Sequence, residues 1–381
     1  MADRGRRVAL VLGTSAGGVG RHVAMLARGL TGRGHRVVVA GPPSTEEAFG
    51  FAALGARFTP VPISDRPRPP ADLRAVLALR SLRGADVVHA HGLRAGALAA
   101  LALAGTPAPL VVTLHNAATA GGAVGAVYGL LERVVARRAD RIMVVSPDLG
   151  ERMTLLGALR VEAAVVPAPP LAPSGRLPGQ VRAELGAGDR VIFLTVARLA
   201  QQKGLETLLD VAGTLPGEQG SPGPLFLIAG EGPLHAELRR RIDREDLPVR
   251  LLGPRADVAD LLGVARALVV PSRWEGQPLV VQEALRAGTP VVATAVGGVP
   301  AMVGEGGVLV PYGNVAAMRD AVAGLLADSE HARRLAVAAA RRGRELPGET
   351  EALEAVLAVY ASPAGPSGPP APGEQGVGRQ C

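Results

Sequence analysis

Short apolar runs recur along the whole chain, most of them closed by glycine or proline. In the first half they are Arg7 to Leu12 (RVALVL), Arg36 to Ala40, Asp86 to His91, Leu110 to Leu114 and Ile142 to Ser146, the last of that half. In the second half they are Arg190 to Val196, Leu225 to Ala229, Val249 to Leu252, Ala267 to Val270, Pro290 to Thr294 and Val308 to Val310. Runs this short and this rich in β-branched residues predict buried strands. Helical segments separate them. One spans Gly17 to Leu30, with His22, Val23, Leu26 and Leu30 on one face. Others are Asp72 to Leu82, part of Leu93 to Leu110, Leu279 to Ala287, Asn314 to Ala327, Glu330 to Arg344 and Glu349 to Tyr360. Strand, Gly-rich turn, helix and strand over residues 7–40 form a βαβ unit, the mark of a doubly wound sheet, so the fold class is α/β.

Length divides this pattern in two. A chain of 381 residues is long for one domain and suits two. The Pro- and Gly-rich stretch Val161 to Gln180 reads as the connection between them. Aromatic residues are only 2%, so Leu, Val and Ala fill the cores, and stacking of bases on several rings is excluded; no nucleic acid partner is expected. The single cysteine, Cys381, permits no intrachain disulfide and fits a reducing cytoplasm. No uninterrupted apolar stretch is long enough for a membrane span, and the N-terminus lacks a signal-peptide core. The net charge of +7 is uneven: residues 1–170 carry +9 and the rest −2. Two readings stand, a solvated Arg-biased surface and a face that meets an anionic acceptor or membrane surface, such as a lipid phosphate.

The stretch Pro271 to Pro300 carries the candidate chemistry. It reads as loop, helix and strand, with Pro278 in the first helical turn and Gly288 ending the helix. Glu275 lies before the helix and Glu283 about a turn and a half inside it. A helix start attracts an anion such as a diphosphate. The two carboxylates then stand ready to accept hydroxyls on either side, which is the layout of a nucleotide sugar. A surface unit with two solvated glutamates is the plainer alternative. A nicotinamide-binding fold is the rival for the first domain. It predicts Gly-x-Gly-x-x-Gly and an acid after the second strand, where this chain has Gly13-x-x-x-Gly17-Gly18-x-Gly20 and Ala40-Gly41-Pro42. His89 and His91 show no third ligand nearby, which favours a structural or acceptor-side role over a metal. Lys203 is the only lysine beside 40 arginines, which points to a place that needs a compact ammonium.

Glu275-x7-Glu283, with EGQPL at its front and AGTPVVAT behind, resembles the retaining glycosyltransferases of family 4. So do GGVGRHV at Gly17 to Val23, VVTLH ending at His115, and Arg198-x4-Lys203-Gly204; together the resemblance covers residues 7–360. It implies a GT-B fold, two Rossmann-like doubly wound domains facing each other across a cleft. The domains are then an acceptor-binding 1–165, a linker 166–185, a nucleotide-sugar-binding 186–345, a helix 346–361 crossing back, and a disordered tail 362–381.

The resemblance implies that Glu275 positions the donor sugar, that Glu283 holds the ribose and that Arg198 and Lys203 clamp the diphosphate. Gly276, Gln277, Pro278, Leu279 and Val280 line the donor, with Gly18, Glu231 and Arg255 near it. His115 faces the reacting carbon, and Gly17, His89 and His91 lie on the acceptor side. The implied reaction moves a sugar from a UDP- or GDP-linked donor to an acceptor hydroxyl with retained configuration, the β-phosphate helping to take the proton. The chain has no Asp-x-Asp, so no metal or other cofactor is expected. Pro167-Ala168-Pro169 replaces the family's Pro-Asn-Gly and puts any side-chain contact there in doubt. A GT-B nucleotide-sugar epimerase and a non-catalytic GT-B partner subunit are the alternatives. The pairing of Arg198 and Lys203 with Glu275 and Glu283 argues against both.

Overall fold

The computed structural model describes residues 5–361 apart from 16, 118–121, 172–174 and 216–222; the tail expectation lies outside the described residues. Thirteen strands in the described residues form two parallel sheets. The first contains β1 (Arg7–Leu12), β2 (Arg36–Gly41), β3 (Arg57–Pro60), β4 (Val87–His91), β5 (Leu110–Leu114), β6 (Arg141–Val144) and β7 (Val161–Ala163), in the order β3-β2-β1-β4-β5-β6-β7. The second contains β8 (Ile192–Val196), β9 (Leu225–Ala229), β10 (Val249–Gly253), β11 (Ala267–Val270), β12 (Val291–Thr294) and β13 (Gly307–Val310), in the order β10-β9-β8-β11-β12-β13. The protein thus has the two-domain α/β architecture that the resemblance implies.

Both faces of the second sheet are covered, and its strand residues alternate between two cores. Ile192, Leu194, Leu225 and Leu227 face one; Phe193, Phe226 and Ile228 face the other. Parallel strands buried on both sides read as continuous apolar runs, which is why the sequence shows them plainly.

Two features depart from expectation. Ile142 to Ser146 is not the last strand of its half, because β7 follows at the sheet edge, pairing Ile142 with Val161 and Val144 with Ala163. The Pro/Gly-rich connection is also partly helical. Residues Pro178–Glu184 form a helix whose Val181, with Leu185 just beyond it, packs into the second domain's core. The final helix, Glu349–Ala361, returns to the first domain and buries Ala352, Leu353, Val356 and Tyr360 in its core. Among the described residues no helix is long and apolar enough to cross a membrane.

Candidate active site

In an open α/β sheet, ligands bind beyond the carboxyl ends of the strands where the strand order reverses. The first sheet reverses between β1 and β4, the second between β8 and β11. The loops after those four strands carry Gly13 and Gly17, Gly92, Ala197–Gly204 and Pro271–Pro278.

In the second domain the loops after β8 and β11 are locked together. Gly204 (φ 60°) lies so close to the Pro271 carbonyl that an added Cβ would sit 2.1 Å from its oxygen. Gly297 (φ 54°) leaves only 1.9 Å between such a Cβ and the Glu275 carbonyl oxygen, which also accepts the Gly298 N–H at 3.0 Å. Side chains at either glycine would push the loops apart. Held this way, Glu275 Oε1 accepts hydrogen bonds from Lys203 Nζ at 2.6 Å and Ser272 Oγ at 2.7 Å. Glu275 is 7% exposed. A charge so buried requires a partner, and the chain's single lysine supplies it.

The helix that follows, Leu279–Ala287, starts at Pro278 with no side-chain cap and ends at Gly288 (φ 74°). The Val281 N–H bonds to the Pro278 carbonyl at 3.2 Å, which leaves the N–H groups of Leu279 and Val280 to face an anion. The first domain stands directly opposite: an added Cβ on Gly18 would touch Leu279 Cδ1 at 3.6 Å. Gly18 opens the helix Gly18–Gly32, and Arg21 on that helix is close enough to act on Glu283. Burial pushes the Glu283 carboxyl up, against the opposing charges of Arg21 and Arg286. The loop residue Trp274 reaches further, entering the first domain's core and donating from Nε1 to Asp148 Oδ2 at 2.7 Å. Gly276 fits because it lacks a Cβ, which would stand 2.4 Å from Val145 Cγ2.

Four histidines gather in the first domain. His89 and His91 share one face of β4, His115 follows β5, and His22 comes from the Gly18–Gly32 helix. His91 Nδ1 and His115 Nε2 are 3.2 Å apart, and the ring of His22 lies 5.6 Å from that of His91 and 5.5 Å from that of His115. Burial lowers all four below the ordinary histidine range, His22 to about 4 and His89 to about 3, so the cluster is neutral. Among the described residues no group of three metal-ligating side chains is placed to hold an ion.

Three of the expected site residues have partners within the protein. The Gln277 amide bonds to the backbone of the connection: Oε1 accepts the Val166 N–H at 2.8 Å and Nε2 donates to the Ala164 carbonyl at 2.6 Å. His89 lies behind His91, with ring centroids 4.2 Å apart. It is fully buried, its two ring nitrogens bonded to Tyr360 Oη and Thr113 Oγ1. Arg255 turns its guanidinium to Asp257 and Glu184, holding Asp257 down to about 2. Arg198 is exposed and has no side-chain partner among the described residues, whereas Lys203 is already engaged by Glu275. Glu231 is exposed, and its carbonyl accepts the Leu199 N–H. Gly17 caps the helix that Gly18 begins.

Several neighbours of these residues escaped the sequence reading: Ser272, Arg21, Asp148, Trp274 and Gln282. Only Trp274 carried a signal, as the sole tryptophan of the chain. Gln282 repeats the pattern of Gln277, accepting from Ala168 N–H at 2.9 Å and donating to the Val166 carbonyl at 2.8 Å. The two amides thus replace a neighbouring strand for residues 164–168. Pro167 and Pro169 have no N–H to satisfy, so the alternation of proline with Val166 and Ala168 suits this one-sided ladder.

Residues 17–169 match the glycosyl transferase 4-like domain, and residues 190–328 match the glycosyl transferases group 1 domain. The chain is 31% identical over 354 residues to the D-inositol 3-phosphate glycosyltransferase of Kribbella flavida, covering 82% of this chain and 83% of that relative. It is 32% identical over 290 residues to the phosphatidyl-myo-inositol mannosyltransferase of Mycobacterium tuberculosis, covering 73% and 74%. Among solved structures, Anabaena Alr3699/HepE in complex with UDP and glucose superposes with a TM-score of 0.77 at 18% identity, covering 93% of this chain and 99% of that one.

Proposed function

The chain belongs to the glycosyl transferases group 1 family, and from that premise we propose that it moves a sugar from a nucleoside-diphosphate donor to an acceptor hydroxyl, with the anomeric configuration retained. The observation that carries this reading is the facing pair of helix starts at Gly18 and Leu279, flanked by Lys203, Glu275 and Glu283. The open N–H groups of the Leu279–Ala287 helix and the exposed Arg198 are suited to the diphosphate and to the charge that grows on it as the sugar leaves. Lys203 joins them when donor hydroxyls take its place on Glu275. Glu283 then accepts ribose hydroxyls, and Glu275 orients the sugar. His115, neutral and at the end of β5, faces the sugar from the acceptor side. Leaving-group stabilisation by these groups asks nothing of a metal ion, and no Asp-x-Asp is present to hold one.

A lipid-borne acceptor fits one further observation. The helices Pro69–Leu79 and Gly122–Arg138 expose Leu73, Leu77, Val127 and Leu130 beside Arg74, Arg80, Arg133 and Arg137. Apolar side chains interspersed with arginine suit a peripheral contact with an anionic bilayer at the cytoplasmic face. Thermal-shift screening with UDP- and GDP-sugars tests the donor reading, since a ligand selective for the native state raises its melting point. Sedimentation with anionic vesicles tests the second.

A further inference from the structure

Each of the two facing helices carries a charge one turn from its start. Gly18 and Leu279 meet where the helices Gly18–Gly32 and Leu279–Ala287 begin. Arg21 follows Gly18 by three residues and Glu283 follows Leu279 by four, the spacings that return a side chain to the same helix face. Resting on the donor reading, we infer that Arg21 is a positioning residue for the donor: it acts across the two domains on Glu283 and keeps that carboxylate ready to accept ribose hydroxyls.

The first argument is that Arg21 is uncommitted while its neighbours are not. Arg21 is exposed and has no side-chain partner among the described residues. Arg286, on the helix of Glu283 itself, donates to the Ala168 carbonyl at 2.6 Å and to the Pro347 carbonyl at 3.0 Å. On the elements packed against that helix, Asp260 of Val258–Val264 binds Arg176, and Arg342 of Ser329–Glu345 binds the Met302 carbonyl and Glu345. Lys203 is held by Glu275. The charges that act on Glu283 are those of Arg21 and Arg286, Arg21 the more strongly.

The second argument is what that charge does. Burial pushes the Glu283 carboxyl up, and Arg21, ahead of Arg286, opposes the rise. An ionised carboxylate is purely an acceptor, with both oxygens available to hydroxyls; a protonated one gives up an acceptor place to its own proton. Without Arg21 the carboxyl keeps its proton to higher pH, so its hold on hydroxyls is lost earlier as pH falls. Arg21 belongs to the first domain and Glu283 to the second, so donor affinity depends on the two standing together.

The test is calorimetric titration of UDP and of GDP into the full chain, in steps from pH 7.5 down to pH 5. Arg21→Gln should weaken binding about fivefold at pH 6 and less at pH 7.5, and Arg21→Lys should restore it. The same Arg21→Gln change made in the Glu283→Gln protein should cost less than about twofold at every pH, because no carboxylate is left for Arg21 to act on. An equal loss in both backgrounds would show that Arg21 touches the nucleotide itself or only supports the fold, and overturns the inference. So does a pH profile that Arg21→Gln leaves unmoved, which decides the case even where Glu283→Gln fails to fold. Failure of both nucleotides to bind the unaltered protein at any pH would instead remove the donor reading, and the inference with it.

Discussion

Lys203 Nζ lies 2.6 Å from Glu275 Oε1, so the lone ammonium of the chain and the carboxylate that precedes the Leu279–Ala287 helix form one ion pair. The pair is largely screened from solvent, with side-chain exposures of 23% and 9%. Removing either partner leaves the other charge partly buried and alone, which costs more than losing a surface bridge. Lys203→Ala and Glu275→Gln should each lower kcat/KM by roughly 10²-fold, equivalent to about 2.7 kcal/mol of transition-state stabilisation. Lys203→Arg should lose activity too, because a planar fork does not replace a point charge beside the Gly204 turn. Steady-state kinetics on the three variants check this; Lys203→Arg at wild-type turnover would show that any cation serves.

The hinge offers a second expectation. Gln282→Leu leaves the Ala168 N–H and the Val166 carbonyl without their partner. An unsatisfied buried backbone group costs about 1–3 kcal/mol, so denaturant unfolding should show a loss of that order. Gln277→Ala should behave alike, because its amide makes the same two-sided bond to Ala164 and Val166. If Gln277→Ala instead alters sugar selectivity with stability unchanged, the donor-side assignment of Gln277 regains its place.

Acid should weaken the fold through the histidine cluster. The sign follows from proton counts: between the ordinary histidine pKa of 6.5 and the depressed value of about 4, the unfolded chain binds a proton on His22 that the folded chain does not. Stability from His22 is full above pH 6.5 and is lost as pH falls through that window. At pH 5 the loss for this residue is roughly 2 kcal/mol. Melting curves from pH 7.5 to 4.5 should fall steeply for the wild type and less so for His22→Asn. Glu283 acts oppositely: its raised pKa makes it stabilising below the ordinary carboxyl range, with that contribution lost as pH rises through its folded value. Glu283→Gln should therefore flatten the decline on the alkaline side of the carboxyl range.

Trp274 permits a direct view of the cleft. As the only tryptophan it is the sole indole emitter, and its Nε1 bond to Asp148 ties the second domain's loop to the first domain. Asp148→Ala should shift the emission without abolishing donor binding, measured by fluorescence titration. An unchanged spectrum would mean that the loop does not bridge the domains in solution.

The sequence displayed most strands because parallel strands buried on both faces are apolar throughout, as in Phe193 and Leu194 facing opposite cores. It hid β7, a run of only three residues containing Glu162, because pairing with β6 rather than local pattern makes it a strand. The glutamates were legible because a helix start falls between them, Glu275 before it and Glu283 inside the helix. The ladder formed by Gln277 and Gln282 was not, since a glutamine facing a distant backbone looks in sequence like one facing a ligand. The bond of His89 to Tyr360 was hidden for the related reason that the two lie 271 residues apart.

The central claim is that a nucleotide sugar sits between the helix starts at Gly18 and Leu279, held by Glu283 and by the Lys203–Glu275 pair. Isothermal titration of UDP- and GDP-sugars into the wild-type chain and Glu283→Ala tests it most directly. The account predicts saturable binding by the wild type and a weakening of about tenfold in the variant, equivalent to about 1.4 kcal/mol. No binding by any donor, or equal binding by both proteins, would contradict it.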